Sequence, residues 1–417
     1  VRSRLELTGA DGGAGTVSVF WRWWTAGSIS GLGSAIGGVA LPLTALAVLD
    51  ASPLQMGLIA AAQYAAWLVI GLPSGVIVQR LPLRGAQLGA DVIRAAAVGS
   101  IPLTWWLGEL TVAHLVVTAL VVSFANVVFD VANSTFLPEI VGKDQLQARN
   151  SLTSGTHATT SLGGPSLGGL IVQALGAVPT LLVDAVSYLV SAALLRTLPA
   201  RRVARPDKWP PMGEMIREGF AFVVRHPVMG PGMWVATTVN FVCGVQYALY
   251  PLYLVRDLGA SPGLVGVLLA ADGVGTLAGA ALTTRFTTTV GTARGLLVAG
   301  FVAAAGAFLV PWGSYAGFVL GNLLFSAGVV VLSVTTRTYR QIASPPELLS
   351  RVMATVRFIS WGAIPIGGLV AGALAGLIGT RPALAGLGAV TALAPAIWLF
   401  SPVRGRRDLP DVTAARR

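Results

Sequence analysis

The residues best placed to do chemistry in this chain are charges embedded in apolar sequence. Asp272 is flanked by Ala270, Ala271, Gly273 and Val274, with no basic neighbour in sequence to neutralise it. A carboxyl group in such surroundings is costly to ionise. It serves as a proton carrier, as the counter-ion of a cationic ligand, or as a protonated, hydrogen-bonded helix contact. Asp91 and Arg94 are three residues apart and pair on one face of a helix. Asp130 sits at a similar depth in the next apolar stretch. These three read as one charge cluster, with a gating role or a proton-carrying one. Asp184 stands alone in a further stretch, as another intramembrane charge. His157 titrates near neutral pH or packs as a satisfied side chain, and Arg357 binds an anionic group or pairs with an acid. Gln63, Trp67, Asn126, Asn240, Gln246 and Trp361 also fall in mid-stretch, where polar groups need partners or water. They are candidates for the wall of a water-filled cavity.

Other chemistries find no support. Three histidines and one cysteine, Cys243, are scattered. Metal-ligand spacing, a disulfide framework and a nucleophile–base cluster are all missing, so the expectation is no metal, no cofactor and no enzyme. The sequence contains no Gly-x-x-x-x-Gly-Lys-Ser/Thr phosphate loop.

The elements that must position these charges are long apolar helices. From Thr25 to Leu49, and again from Ala51 to Val78, there is no charge at all. Such lengths span a bilayer, whereas a core helix of a soluble protein shows a polar face. The pattern predicts twelve spans, over 25–48, 55–78, 86–107, 112–132, 152–175, 178–198, 231–255, 262–284, 293–312, 315–335, 352–378 and 383–400. The first is too long for a signal-peptide core and is read as a spanning helix. Hydrophobic residues make up 54% and charged residues 11%, with a mean hydropathy of +0.74, which excludes a soluble globular reading.

Placement explains the net charge of +11. With loops numbered alternately, only Arg256 and Arg381 fall on one side. Arg94 and Arg357 lie within spans, and the rest of the 28 basic residues collect on the other side. The positive-inside rule makes that side cytoplasmic, with both termini there. The charge is a topology signal, with membrane lipids as contacts, and not a nucleic-acid surface. Trp21, Trp23, Trp24, Trp105, Trp106 and Trp312 fall near span ends and read as interfacial anchors.

The chain divides into a six-helix half over 1–198, a polar central loop over 199–230 and a second six-helix half over 231–417. Within the loop, Met215 to Val224 forms a short amphipathic helix, with Ile216, Phe220 and Val223 on one side. The halves repeat at an offset of roughly 200 residues: Arg149 corresponds to Arg351, Pro165 to Pro365, Gly168-Gly169-Leu170 to Gly367-Gly368-Leu369, and His157 to Arg357. Duplicated halves are the architecture of proteins that rock around a midplane site.

Several stretches together resemble the major facilitator superfamily, and most closely its bacterial branch of macrolide- and siderophore-export permeases. They are Ala90-Asp91-Val92-Ile93-Arg94-Ala95, Phe129-Asp130-Val131-Ala132, Leu137-Pro138-Glu139, Glu218-Gly219-Phe220 with Arg225-His226-Pro227, and Arg351-Val352-Met353-Ala354. Two of the superfamily's motifs match in part. In the loop between spans 2 and 3, Gly75, Arg80 and Arg84 match, but Gln79 replaces the acid that helps latch the halves. In span 5, Gly164-Pro165-Ser166-Leu167-Gly168-Gly169 matches the core of the motif associated with proton-coupled antiporters. Gly164 and Gly168 share a face that admits a neighbouring backbone, and Pro165 removes a backbone hydrogen bond and bends the helix.

The resemblance implies an all-α polytopic membrane protein of two pseudo-symmetric halves in the bacterial inner membrane, acting as a monomer. It implies efflux of a small amphipathic organic molecule in exchange for protons, with the span 5 and span 11 glycines at the moving contacts. An importer or facilitator of a metabolite, and a non-transporting membrane sensor, remain the alternatives.

Overall fold

The computed structural model describes residues 11–73, 81–141, 145–199 and 212–410. Among them there is no strand. The first half contains α1 (Asp11–Ala47), α2 (Pro53–Ile70), α3 (Leu83–Trp106), α4 (Val112–Ile140), α5 (Leu146–Leu175) and α6 (Ala177–Arg196). The central segment supplies α7 (Met212–Arg225). The second half contains α8 (Met229–Leu252), α9 (Pro262–Leu269), α10 (Ala271–Val290), α11 (Thr292–Leu309), α12 (Tyr315–Ala343), α13 (Pro346–Ile378), α14 (Thr380–Ala389) and α15 (Leu393–Leu399). Two expected spans are interrupted: α9 and α10 form one span broken at Ala270, and a 3-10 turn over Val390–Ala392 joins α14 to α15.

Among the described residues, ten stretches are long and apolar enough to cross a membrane. The expected third and fifth spans, α3 and α5, are not in that set. The reason is chemical: α3 carries Arg84, Asp91 and Arg94, and α5 carries a run of serines and threonines between Ser151 and Ser161. Both are held inside the bundle, α3 against α4 and α6, and α5 against α1 and α9.

The packing repeats between the halves. α1 lies on α5 and α6, and correspondingly α8 lies on α13 and on α15. α3 packs on α4, as α11 does on α12. The halves meet where α2 lies on α13 and α5 lies on α9. One end of the bundle carries Arg22, Arg84, Arg149, Arg196 and α7, and is called the basic end below. The other carries the α1–α2 and α8–α9 turns and is called the far end.

The central helix α7 is fixed to the second half. Val223 is buried in a cluster with Met229 and Met233 of α8, Ala343 of α12, and Val352 and Val356 of α13. Gly219 permits this approach, because a Cβ there would lie 3.0 Å from the Arg351 carbonyl oxygen. Glu218 and Arg351 complete the contact as an ion pair. The turn into α8 is capped by His226, whose Nδ1 accepts from the N–H groups of Val228 (3.2 Å) and Met229 (3.3 Å). The imidazole lies between the rings of Phe222 and Tyr339.

Burial holds the His226 imidazole below its ordinary value of 6.5, and the cap needs an unprotonated Nδ1. The unfolded chain therefore binds this proton more readily than the folded one. The cap's contribution is whole at neutral pH and falls as the pH drops through about 6.5. His226→Asn keeps an acceptor without titrating. Thermal unfolding of the purified protein should show a smaller loss of Tm on acidification for His226→Asn than for the parent; parallel pH profiles would remove His226 from the account.

Candidate functional site

Span 1 explains why a cavity forms. Gly27, Ser30, Gly31, Ser34, Gly38 and Leu41 recur at helical spacing, and all face one cavity of about 530 Å³. Small residues on one face of a helix leave room that large ones fill elsewhere. The opposite walls come from Gln63, Tyr64 and Trp67 of α2, Arg94 of α3, Asn126, Phe129 and Asp130 of α4, His157 of α5, and Asp184 and Tyr188 of α6. The second half contributes Trp361. Trp23 and Trp24, expected as interfacial anchors, instead line this cavity, and Trp23 is buried. The indole of Trp24 donates to Thr156 Oγ1 at 3.1 Å, tying α1 to α5.

The charge cluster is a buried network. Asp91 is 0% exposed and Arg94 4%. They form an ion pair, and Ser191 Oγ donates to the second Asp91 oxygen at 2.6 Å. Arg94 also donates to Asn126 Oδ1 at 2.9 Å and lies over the rings of Phe129 and Tyr188. Charges taken out of water persist only when paired and hydrogen-bonded, and here one pair ties α3 to α4 and α6. Asp130 is separate: it opens to the cavity, where Arg357, Arg94 and His157 are its electrostatic neighbours. Asp130 and Arg357 make no direct ion pair among the described residues. Arg357 instead sits over Trp67 (4.2 Å) and Trp361 (4.5 Å), one ring from each half.

Asp184 is 4% exposed and is accommodated by glycine. A Cβ on Gly37 would meet its carboxyl group directly, and one on Gly33 would lie against Ser187 and Asp184. Among the described residues its Oδ1 has no hydrogen-bond partner. Asp272 lies in the first turn of α10, just past the break at Ala270, and accepts a hydrogen bond from Ser326 Oγ of α12. Tyr64, Cys243, Tyr247 and Tyr250 are within its electrostatic reach. Tyr64 and Tyr247 stack across the two halves at 5.1 Å.

Some expected residues lie elsewhere. Gln246 is buried and Asn240 donates to the Ala236 carbonyl of its own helix at 2.8 Å; neither lines the cavity. Arg84 donates to the Leu198 carbonyl, binding α3 to the end of α6. Gly75 and Arg80 lie outside the described residues. Sequence reasoning missed Ser191, Ser326 and Tyr64, the partner of Tyr247 in the stack across the halves. The Gly/Ser stripe on span 1 was the available signal for the wall it forms.

The cavity runs from the basic end, at Trp23, Asn133 and Thr153, inward to Leu41 and Thr118. The far end is sealed by backbone. A Cβ on Gly266 of α9 would lie 2.8 Å from the Gly169 Cα of α5, and one on Gly372 of α13 would lie 2.9 Å from the Gly57 Cα of α2. The motif in span 5 is divided between two tasks. Gly164 and Gly168 pack on Ala35 and Ile36 of α1, within the half, whereas Pro165 and Gly169 meet Gly266 across the halves. The repeat copies this division: Gly367 packs on Phe241 of α8, and Gly368 on Gly57 and Ala60 of α2. Gln173 Oε1 accepts from the Gly263 N–H at 3.1 Å, and Arg256 pairs with Asp50 at 2.5 Å, completing the seal.

Residues 16–414 match the family described as transmembrane secretion effectors. The chain belongs to this family of major facilitator transporters. Its relatives include the uncharacterised MFS-type transporter YfiS of Bacillus subtilis, 26% identical over 84% of this chain and 85% of that protein. The multidrug efflux pump Tap of Mycolicibacterium fortuitum is 26% identical over 91% and 95%. Among solved structures, the nucleoside transporter NupG superposes with a TM-score of 0.75 at 11% identity, over 91% of this chain and 98% of that one. A bacterial homologue of the lysosomal transporter Spinster, inward-facing and occupied, gives 0.71 at 14%, over 92% and 96%. These likenesses show the fold. This family member is a multi-pass membrane transporter, not an enzyme.

The seal is testable through Gly266. Gly266→Val places a branched side chain where the Pro165 carbonyl and Gly169 now lie. Overpacking costs about 1–3 kcal/mol, which moves the closed-to-open ratio by roughly 5- to 150-fold. In a Cys243→Ser background, the cavity reporter Leu41→Cys should then be alkylated faster from the far side by an impermeant maleimide. An unchanged rate would show that the crossing does not hold the far end shut.

Proposed function

We propose that this transporter exports a small amphipathic organic molecule from the cytoplasm in exchange for protons. The supporting observation is the cavity: aromatic walls from Trp23, Trp24, Tyr64, Trp67 and Trp361 surround Asp130 and Asp184, with access at the basic end and a glycine seal at the far end. By the positive-inside rule the basic end is cytoplasmic, with both termini there. Aromatic faces with a few polar groups suit an amphipathic ligand of drug size. The likeness to Tap, a multidrug efflux pump, supports the outward direction.

In this reading the six-helix halves over 1–198 and 231–417 rock about the cavity, joined by the 199–230 segment. Asp272 is the coupling acid. Among the described residues its one hydrogen bond comes from Ser326, and no basic group pairs with it. It takes a proton when the far end opens and gives it up when the basic end opens, so that proton entry and substrate exit share one cycle. Asp184, buried with an unpartnered oxygen, is the second candidate. Asp91 and Arg94 hold the first half together, and Asp130 with Arg357 and His157 sets the field in the cavity mouth.

Inside-out vesicles with an imposed proton gradient test both claims. Uptake of lipophilic drugs or macrolides should follow the gradient in the parent. Asp272→Asn should reduce gradient-driven uptake by at least about tenfold while leaving ligand binding intact, consistent with an essential proton-transfer group. Uptake that survives in Asp272→Asn but fails in Asp184→Asn would move the coupling role to span 6. Gradient-driven movement in the opposite direction would make the protein an importer.

A further inference from the structure

The helix α7 has two faces, and the transport reading uses neither. One is docked: Gly219 and Val223 lie against α13 and α8, and Glu218 pairs with Arg351. The other is open. Phe220 is 47% exposed and Val224 43%. They are four residues apart and therefore adjacent on one face. Arg217 and Arg225 are exposed at either end of this stripe. The helix lies at the basic end, beside the first turns of α8 and the last turn of α12.

We propose that this open face of α7 is a docking surface for anionic lipid headgroups. Phe220 and Val224 enter the headgroup–acyl boundary, and Arg217 and Arg225 engage the phosphodiester groups around them. The charge complementarity argues for this occupant. An apolar stripe alone suits any apolar cover, but a stripe bracketed by two guanidinium groups suits an amphipathic helix lying in an anionic interface. Each arginine near such a surface gains attraction that vanishes in neutral lipid. Because the opposite face of the same helix is tied to the start of α13 through Glu218–Arg351, the lipid would hold the end of a span that also forms the inter-half contact with α2. Membrane composition thereby acts on the rocking motion.

Immersion reads the surface directly, whatever the cargo. Phe220→Cys in a Cys243→Ser background is labelled with a nitroxide, and the full-length protein is placed in nanodiscs of phosphatidylcholine with or without phosphatidylglycerol. Collision with oxygen against collision with a water-soluble nickel chelate reports depth. The expected result is a membrane-immersed label in the anionic discs that moves toward water in neutral discs, and does the same in anionic discs when Arg217→Gln and Arg225→Gln are added. Transport by the parent in anionic proteoliposomes should then exceed that in neutral ones by about threefold or more, with the double variant insensitive to composition. A label reached by the nickel chelate equally in both discs overturns the proposal. So does equal immersion in both, which would leave only apolar contact, and so does a label shielded from both reagents, which would mean that protein covers the face.

Discussion

The structure depends on close approach of backbones at four glycine-lined contacts. α5 meets α1 through Gly164 and Gly168, and α9 through Gly169. α13 meets α8 through Gly367, and α2 through Gly368 and Gly372. In lipid there is no hydrophobic drive to bring helices together, so packing and short interhelical contacts must do it. A helix with adjacent glycines on two faces can serve two neighbours at once. α5 and α13 are thus both structural members of their own halves and the surfaces on which the other half bears. Every larger feature follows from that double duty: the location of the seal, the access from the basic end, and the two-fold likeness of the halves.

The charges follow a different logic and are not symmetric. The first half holds Asp91, Arg94, Asp130 and Asp184, and the second contributes Asp272 and Arg357. Arg94 is held by Asp91, Asn126 and two rings. Such a network resists rearrangement, because removing either charge leaves the other buried and unpaired. Asp272 is less constrained, with one hydroxyl donor and a break in its own helix. A group meant to change its protonation within a cycle cannot also be locked by an ion pair. That contrast separates the charges that hold α3, α4 and α6 together from the one proposed for coupling.

Much of this was legible in the sequence because the causes were local. Uncharged runs gave the spans, arginine placement gave the two ends, and the spacing of Asp91 and Arg94 gave their pairing. The repeated Gly-Gly pairs gave the location of the close contacts. What escaped depended on which face of a helix turns inward, which sequence spacing leaves ambiguous when nearly every residue is apolar. Trp23 and Trp24 look like interfacial anchors by position, yet the Gly/Ser stripe following them turns that face of α1 toward the cavity. Asn240 and Gln246 look like cavity polar groups by depth, yet Asn240 donates to the Ala236 carbonyl of its own helix and Gln246 packs inside. Partners such as Ser191 and Ser326 lie on helices distant in sequence, and no local pattern names them. The apolarity that marks a span was also an imperfect guide: α3 and α5 are too polar to qualify alone, because their polar side chains line the interior of the first half.

The seal constrains how the molecule can move. Opening the far end must separate Gly57 from Gly372 and Gly169 from Gly266, giving up backbone contact that no flexible side chain can replace by extending. The loss has to be offset by contacts formed at the other end, and the residues available there are few. α2 and α13 already meet through Trp67 and Trp361, with the Arg357 guanidinium over both rings. That cluster lies on the basic-end side of the α2–α13 crossing. Bringing those helices together there would narrow the cavity mouth as their far ends part. Arg357 would then be pressed toward Asp130, its electrostatic neighbour across the mouth. In the rocking motion proposed above, closing the mouth would bring opposite charges nearer at the same time as it broke the glycine contacts, setting the two ends of the cavity against each other through one pair of helices.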